Sequence, residues 1–366
     1  MKQVFRYTGY ILLILLAGYL LYRFYFIAAW ILAAAVISFV GQPIAQFFEK
    51  IRIRNIQIPR PVASFLALLV LLGIFLGLVA LFVPLIVNQA SAIAEIDMDK
   101  LAESIEGPLH WIDQKLRAFG VIPDGEPLQK YLISYAKSIV GLGSMGTVLA
   151  NVISVAGNIF IGIFSIFFIT FFFIKDENMF EDDILLLVPK KHHNATHVII
   201  EDSKMFLKRY FIGVIAEVFS LMLLIAIGLW IFGIKNALLI GFFGGVFNII
   251  PYLGPLIGSA LGMILGITTA LAGGGYNDLM PVFFKLLGVF VAAQIIDNNV
   301  LVPVIYAKSV KSHPLEIFLI IVMGGSLAGF VGMLVAVPVY TVLRVIAREF
   351  FQQFRVVQKL TETMDN

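Results

Sequence analysis

The stretch Asn248-Ile249-Ile250-Pro251-Tyr252-Leu253-Gly254-Pro255 lies in the middle of an apolar run from Ala237 to Leu271. Each proline lacks a backbone donor and clashes with the carbonyl one turn earlier, so one continuous helix cannot pass through this octet. The run must split into two arms, each of roughly fifteen residues and short for a crossing that takes about twenty. At membrane depth, broken backbone is tolerated only where protein buries it or where it lines a polar cavity. Transporters place substrates and ions at such breaks.

The surrounding composition sets the scene for that break. The chain of 366 residues is 60% hydrophobic and 13% charged, with a mean hydropathy of +0.97, which describes a polytopic membrane protein and excludes a soluble one. A net charge of +3, spread in short clusters between apolar runs, argues against nucleic acid as a partner. Without cysteine there is no disulfide framework and no thiol chemistry.

Apolar runs and loops divide the chain into five parts. Residues 1–86 hold spans one to three, at about 7–21, 26–44 and 61–85, and the dense basic loop Lys50, Arg52, Arg54 and Arg60 precedes the third. Basic short loops stay in the cytoplasm, which places this loop and both termini inside. Residues 87–150 are mixed and acidic, and Leu101, Ile105, Leu109, Ile112 and Leu116 recur at helical spacing, so a small helical extracytoplasmic segment is expected. Residues 151–209 hold span four and a charged segment, 175–209, that reads as an amphipathic helix on the membrane surface. Residues 210–350 form a transport core, and 351–366 a cytoplasmic tail.

The core repeats a pattern. Span five (210–232) carries Glu217 and leads into the Pro251–Pro255 break; span eight (281–306) carries Asp297 and leads into a second run broken at Gly324, Gly325 and Gly329. The two sets enter the membrane from opposite sides, the arrangement of inverted transporter repeats. The fold expected is all-α, with two Gly/Pro-interrupted hairpins in inverted halves.

Within this core Asp297 is the sharpest candidate, because a carboxylate at mid-membrane costs at least about 2.5 kcal/mol and is kept neutral, paired or aimed at a polar cavity. Gln294, Asp297 and Asn298 follow i, i+3, i+4 spacing and share a helix face, and Pro303 cannot donate to the carbonyl of Asn299. These oxygens suit a proton or sodium ion. The bland alternative is a helix-packing cluster in which Asp297 is protonated or paired with a basic residue such as Lys285. Glu217 shares a face with Gly213 and Ser220, its bland alternative being an interfacial pair with Lys208 or Arg209. Asn248 and Tyr252 flank the break, where they either contact a small polar solute or satisfy backbone groups freed by Pro251 and Pro255. His192, His193 and His197 lack an acidic or sulfur ligand at a recognisable spacing, so no metal site is expected, and no cofactor is implied.

Several pieces, in order along nearly the whole chain, resemble the bacterial autoinducer-2 exporter family: Phe173-Ile174-Lys175-Asp176, the octet 248–255, Asp297-Asn298-Asn299-Val300-Leu301-Val302-Pro303, His313-Pro314-Leu315, Gly324-Gly325 and Val337-Pro338. Lys175 stands where arginine is common in that family. The resemblance implies a multi-pass inner-membrane permease; some members are described as exporting autoinducer-2, others as sodium or lithium/proton antiporters. The expected function is ion-gradient-coupled export of a small polar solute such as autoinducer-2, with cation/proton antiport as the alternative. The partners expected are that solute, sodium or protons, the lipid bilayer and, as an open question, further copies of the chain. No phosphate-binding glycine-lysine loop is present, so a gradient and not ATP is the expected drive. An intramembrane hydrolase is disfavoured by the lack of GxSxG and HExxH patterns, and a partner-docking scaffold is a third option.

Overall fold

A computed structural model describes residues 19, 24–53, 56–94, 96–97, 100–101, 103, 145–176, 178–306 and 313–351. Span one apart from Tyr19, most of the acidic segment, the loop carrying Lys308 and Lys311, and the tail after Phe351 lie outside them. Among the described residues the protein is an all-α polytopic membrane protein, with six helices long and apolar enough to cross a bilayer. Extended pairing among the described residues is confined to β1 (Arg52–Ile53) and β2 (Ile56–Gln57), a two-residue antiparallel ladder in the basic loop.

Helix boundaries follow the breakers. α1 (Tyr25–Glu49) ends at that loop, and α2 (Arg60–Ala94) opens with Pro61 in its first turn, where the missing donor costs nothing. α3 (Met145–Lys175) is followed by α4 (Met179–Leu187), which stops before Pro189. No proline occurs between Pro189 and Pro251, and α5 (His193–Ile231) runs unbroken. The surface helix expected over 175–209 is therefore corrected: its first part is α4, and the rest is the N-terminal half of the same helix as span five. Charged side chains do not end a helix.

The chain divides into two compact units. One comprises Met1–Ile74, Gly157–Phe211 and Gly324–Glu362; the other comprises Phe75–Ala156, Ile212–Met323 and Thr363–Asn366. In the first, Ala45, Ala67, Leu71 and Ile174 form a core, and the Arg60 guanidinium reaches the Ile174 carbonyl at 3.4 Å. Asp202 pairs with Arg348, and Glu181 pairs with His197 and with Lys204 at 3.2 Å. The His197 hydrogen bond, and then Lys204, hold the Glu181 carboxyl below its ordinary range against the opposing effect of burial. Within α10 (Pro314–Phe351), Ala328 and Gly329 leave the helical region, Gly329 at φ 58°, and the chain reverses so that Gly324 packs against Gly332. The expected second hairpin turns at that point, with Gly324 and Gly325 beside it.

The second unit is built on the first break. α6 (Ala237–Phe247) and α7 (Leu253–Ala272) run antiparallel, and the Cβ of an alanine at Gly258 would lie 3.0 Å from the Gly244 carbonyl. α6 packs on α5 just as closely, since a Cβ at Gly241 or Gly245 would stand 2.6 Å from the Met222 or Val218 carbonyl. α8 (Leu279–Ile296) closes the group, its Leu286 and Phe290 filling the space over Gly266 and Gly262. In lipid, apolar side chains gain little from leaving the solvent, so close approach over small residues is what holds such helices together. Leu221, Ile225, Leu229, Ile240, Leu286 and Phe290 make the core of this packing. The arm lengths expected from sequence are also corrected. α7 has 20 residues, about 30 Å and a full crossing, whereas α6 has 11 and spans about half that core.

Candidate functional site

Residues 248–252 cap α6 and turn the chain. Their backbone needs are met locally: the amides of Asn248, Ile249 and Ile250 donate to the carbonyls of Gly245, Val246 and Phe247. The Leu253 amide donates to the Pro251 carbonyl at 2.8 Å across Tyr252, which is held at φ 65°, ψ −48°. This is a γ-turn with a positive central φ, a rare and strained form for a residue with a side chain. Because neighbouring backbone groups serve one another here, the Asn248 side chain is left for another task.

Asn248 Nδ2 donates to Glu217 Oε1 at 2.7 Å and to Asp297 Oδ2 at 3.4 Å, one amide with two hydrogens serving two carboxylates. Gln294 Nε2 donates to the same Asp297 oxygen and to Asn298 Oδ1, each at 3.3 Å. Asp297 is 2% exposed, Asn248 7% and Glu217 9%. Three elements therefore bring two acids and three amides together: α5, the hairpin tip, and the end of α8 with its continuation; Glu217, Asn248 and Asp297 are buried, Gln294 is half-buried and Asn298 is exposed.

The continuation is not α-helical. Asp297–Leu301 form a π-turn in which the Val302 amide reaches the Asp297 carbonyl, before α9 (Val302–Tyr306) resumes. A proline at 303 disrupts regular α pairing one turn back, and a widened turn is one way for a helix to absorb this; such turns concentrate at functional sites. The turn places Asp297 Oδ2 between Asn248 and Gln294, while Oδ1 is buried without a hydrogen-bond partner among the described residues. Asp297 makes no ion pair among them, and Lys285, its proposed bland partner, instead reaches the Phe232 carbonyl at 3.5 Å. A buried carboxylate oxygen without a hydrogen-bond partner is a place where a proton or a small cation can be held.

Two sequence candidates lie apart from this cluster. Asn299 is exposed and donates to the Ile295 carbonyl at 2.7 Å on its own helix. Tyr252 is 46% exposed and sets its ring edge-on to Phe318, centroids 6.3 Å apart. Gly254 lies so close to the Phe247 carbonyl that a side chain would not fit, and Pro255 sits in the first turn of α7. Gly324, Gly325 and Gly329 belong to the other unit. The histidines are used separately: His193 contacts the Val188 carbonyl, and His197 contacts Glu181.

A second polar node was missed in the sequence. Gln89 on α2, 2% exposed, donates to Thr268 Oγ1 at 2.8 Å and accepts from Asn236 Nδ2 at 2.8 Å and Thr269 Oγ1 at 3.0 Å. It ties both ends of the hairpin base together, opposite the tip that carries Asn248. The visible signal was one amide deep in an apolar run; its partners are about 150 to 180 residues away along the chain.

The description "AI-2E family transporter" matches residues 10–352 of this chain. The chain belongs to the AI-2E transporter family. The resemblance read from the motifs is thus borne out, and the protein is a multi-pass membrane transporter. Among relatives of the family, "Putative transport protein YueF" of Bacillus subtilis (strain 168) is 26% identical over 318 residues, covering 86% of this chain and 81% of its own. "Putative transport protein YrrI" of the same organism is 30% identical over 185 residues, half of each chain. "Putative permease PerM" of Escherichia coli (strain K12) is 38% identical over 64 residues, 18% of each chain.

Proposed function

We propose that this AI-2E family member couples an ion gradient to export of a small polar solute such as autoinducer-2 across the bacterial inner membrane, with both termini cytoplasmic and no enzymatic step. The observation that carries the reading is the orphaned Oδ1 of Asp297 beside Asn248, Glu217 and Gln294. A proton or sodium ion on that oxygen neutralises a carboxylate whose hydrogen-bond partners are neutral amides. Gln294 and Asn298 orient it. Asn248 communicates its state to the hairpin, because the amide that holds the tip is shared between Asp297 at 3.4 Å and Glu217 at 2.7 Å. When the ion neutralises Asp297, the longer bond weakens first, and the tip stays with Glu217 alone. Ligand and conformation are linked in this way only if the ion binds the two states unequally, which the shared amide provides. The strained turn at Pro251–Pro255, with Tyr252 exposed and Asn299 on the neighbouring turn, supplies the solute-facing wall.

A second reading, sodium or lithium/proton antiport, draws on the burial of the Glu217–Asn248–Asp297 trio. Glu217, Asn248 and Asp297 are each at most 9% exposed, which suits an ion better than a hydroxyl-rich solute. Purified protein in proteoliposomes with an imposed proton or sodium gradient and an internal pH-sensitive dye tests both. Dissipation only when solute is added supports export, dissipation with salts alone supports antiport, and silence under both conditions refutes ion coupling.

A further inference from the structure

α5 and α8 leave between them a groove of about 520 Å³, wholly inside the second unit and lined by none of the five residues of the acid cluster. Its walls are two stripes at helical spacing, Leu224, Gly228 and Phe232 on one side and Lys285, Gly288 and Ala292 on the other. The floor is tight where Gly228 meets Val289, since a Cβ there would lie 2.9 Å from Val289 Cγ1. Gly288 is different. A Cβ there would meet nothing within 4 Å, so no neighbouring side chain demands a glycine, and its effect is to leave the groove open.

The groove has one charge, and it sits near one end. Lys285 lies two turns into α8, and its ammonium reaches only the Phe232 carbonyl at 3.5 Å, forming no ion pair with a described carboxylate. A lysine stem lying along apolar surface with its head near the interface is how this side chain is accommodated in membranes. The α8 side of the groove begins at Pro281, and the eleven residues of it from Lys285 to Ile296 cover about 16 Å, close to half the roughly 30 Å hydrocarbon core. One leaflet's depth, an apolar bed and a cation without a described counter-charge at its mouth match one class of molecule. We propose that this groove is a binding site for an anionic glycerophospholipid, with the headgroup phosphate on Lys285 and one acyl chain lying over Gly228 and Gly288.

The test reconstitutes the full-length protein in bilayers containing a trace of phosphatidylglycerol that carries a photoreactive diazirine on one acyl chain, with phosphatidylcholine bearing the same chain as comparison. Labelled peptides are mapped by mass spectrometry after irradiation. Labelling is expected to concentrate on 224–232 and 284–296, with phosphatidylglycerol favoured about fivefold, the preference that one interfacial lysine confers. Lys285→Gln should bring the two lipids to parity without touching the packing. Gly288→Leu, which enters open space, should displace the acyl chain and remove groove labelling while labelling elsewhere persists. Uniform labelling of the apolar surface that neither variant alters overturns the proposal. So does a groove labelled only in dispersed single chains and shielded when copies associate, which would make it an interface between copies.

Discussion

Asn248 joins the hairpin tip to both acids, and Asn248→Ala is the perturbation that isolates this link. The bond to Glu217 at 2.7 Å is short and charge-assisted if that acid is ionised, a class of interaction contributing about 1.5–3 kcal/mol. The bond to Asp297 at 3.4 Å is near the geometric limit and adds at most about 1 kcal/mol. Their joint loss should destabilise the protein by roughly 2–4 kcal/mol, because two buried carboxylates each lose a hydrogen bond from the same amide. Asn248→Leu keeps the volume while removing the donor, and should cost a similar amount if hydrogen bonding, and not a cavity, is responsible. The assay is equilibrium or thermal unfolding in detergent micelles followed by tryptophan fluorescence, with Trp230 near the end of α5 as one reporter. A double-mutant cycle with Glu217→Gln should show non-additivity above about 1 kcal/mol, the mark of residues in direct contact. Losses below about 0.5 kcal/mol in both single variants, or strict additivity in the cycle, would refute the bridging role.

Other expectations follow from the same geometry. Gly245→Val forces a side chain against the Val218 carbonyl and Met222, so α6 must move off α5 one turn before Asn248; a loss of about 1–3 kcal/mol and of ion-driven flux is expected in protein that still reaches the membrane, as checked by unfolding and proteoliposome assays. Tyr252→Gly relieves the positive φ while Tyr252→Ala keeps it, and both lose the ring contact with Phe318; the glycine variant should be the more stable by about 1 kcal/mol, and equal stabilities would show the turn to be unstrained. Glu181 has a folded pKa below its ordinary value, so its contribution is fully present above the ordinary carboxylate range and is lost as pH falls through the lower folded value. Stability of the wild type relative to Glu181→Gln should therefore shrink across that acid window in thermal scans and hold steady above it.

Much of this architecture was legible because its causes are local. Proline chemistry alone places a break between Ala237 and Leu271, and i, i+3, i+4 spacing alone sets Gln294, Asp297 and Asn298 on one face; both hold in the structure. The arm lengths were misjudged because Pro255 reads as a barrier from either side, yet a helix accepts proline in its first turn, and α7 begins at Leu253. The charged segment after span four was read as a separate surface helix for the converse reason: polarity changes along α5 with nothing to break it. What pairs with what was beyond reach. Nothing near Glu217 in sequence points to Asn248, 31 residues on, or near Gln89 to Thr268, because those contacts depend on how closely glycine lets helices approach. The π-turn lies between these cases: Pro303 announces a disturbance, but not that Asp297 Oδ1 would be left without a partner.

Central to the proposed function is Asp297 as the carrier of the coupling ion. Asp297→Asn keeps the shape of the side chain and removes its charge. Reconstituted in proteoliposomes at matched protein density, with an imposed proton or sodium gradient and an internal pH-sensitive dye, the variant should fold and insert as the wild type does but lose ion-driven flux by at least about tenfold, one decade for each ~1.4 kcal/mol of lost ion binding. Flux at the wild-type rate from the Asp297→Asn protein would remove Asp297 from the mechanism and contradict the account.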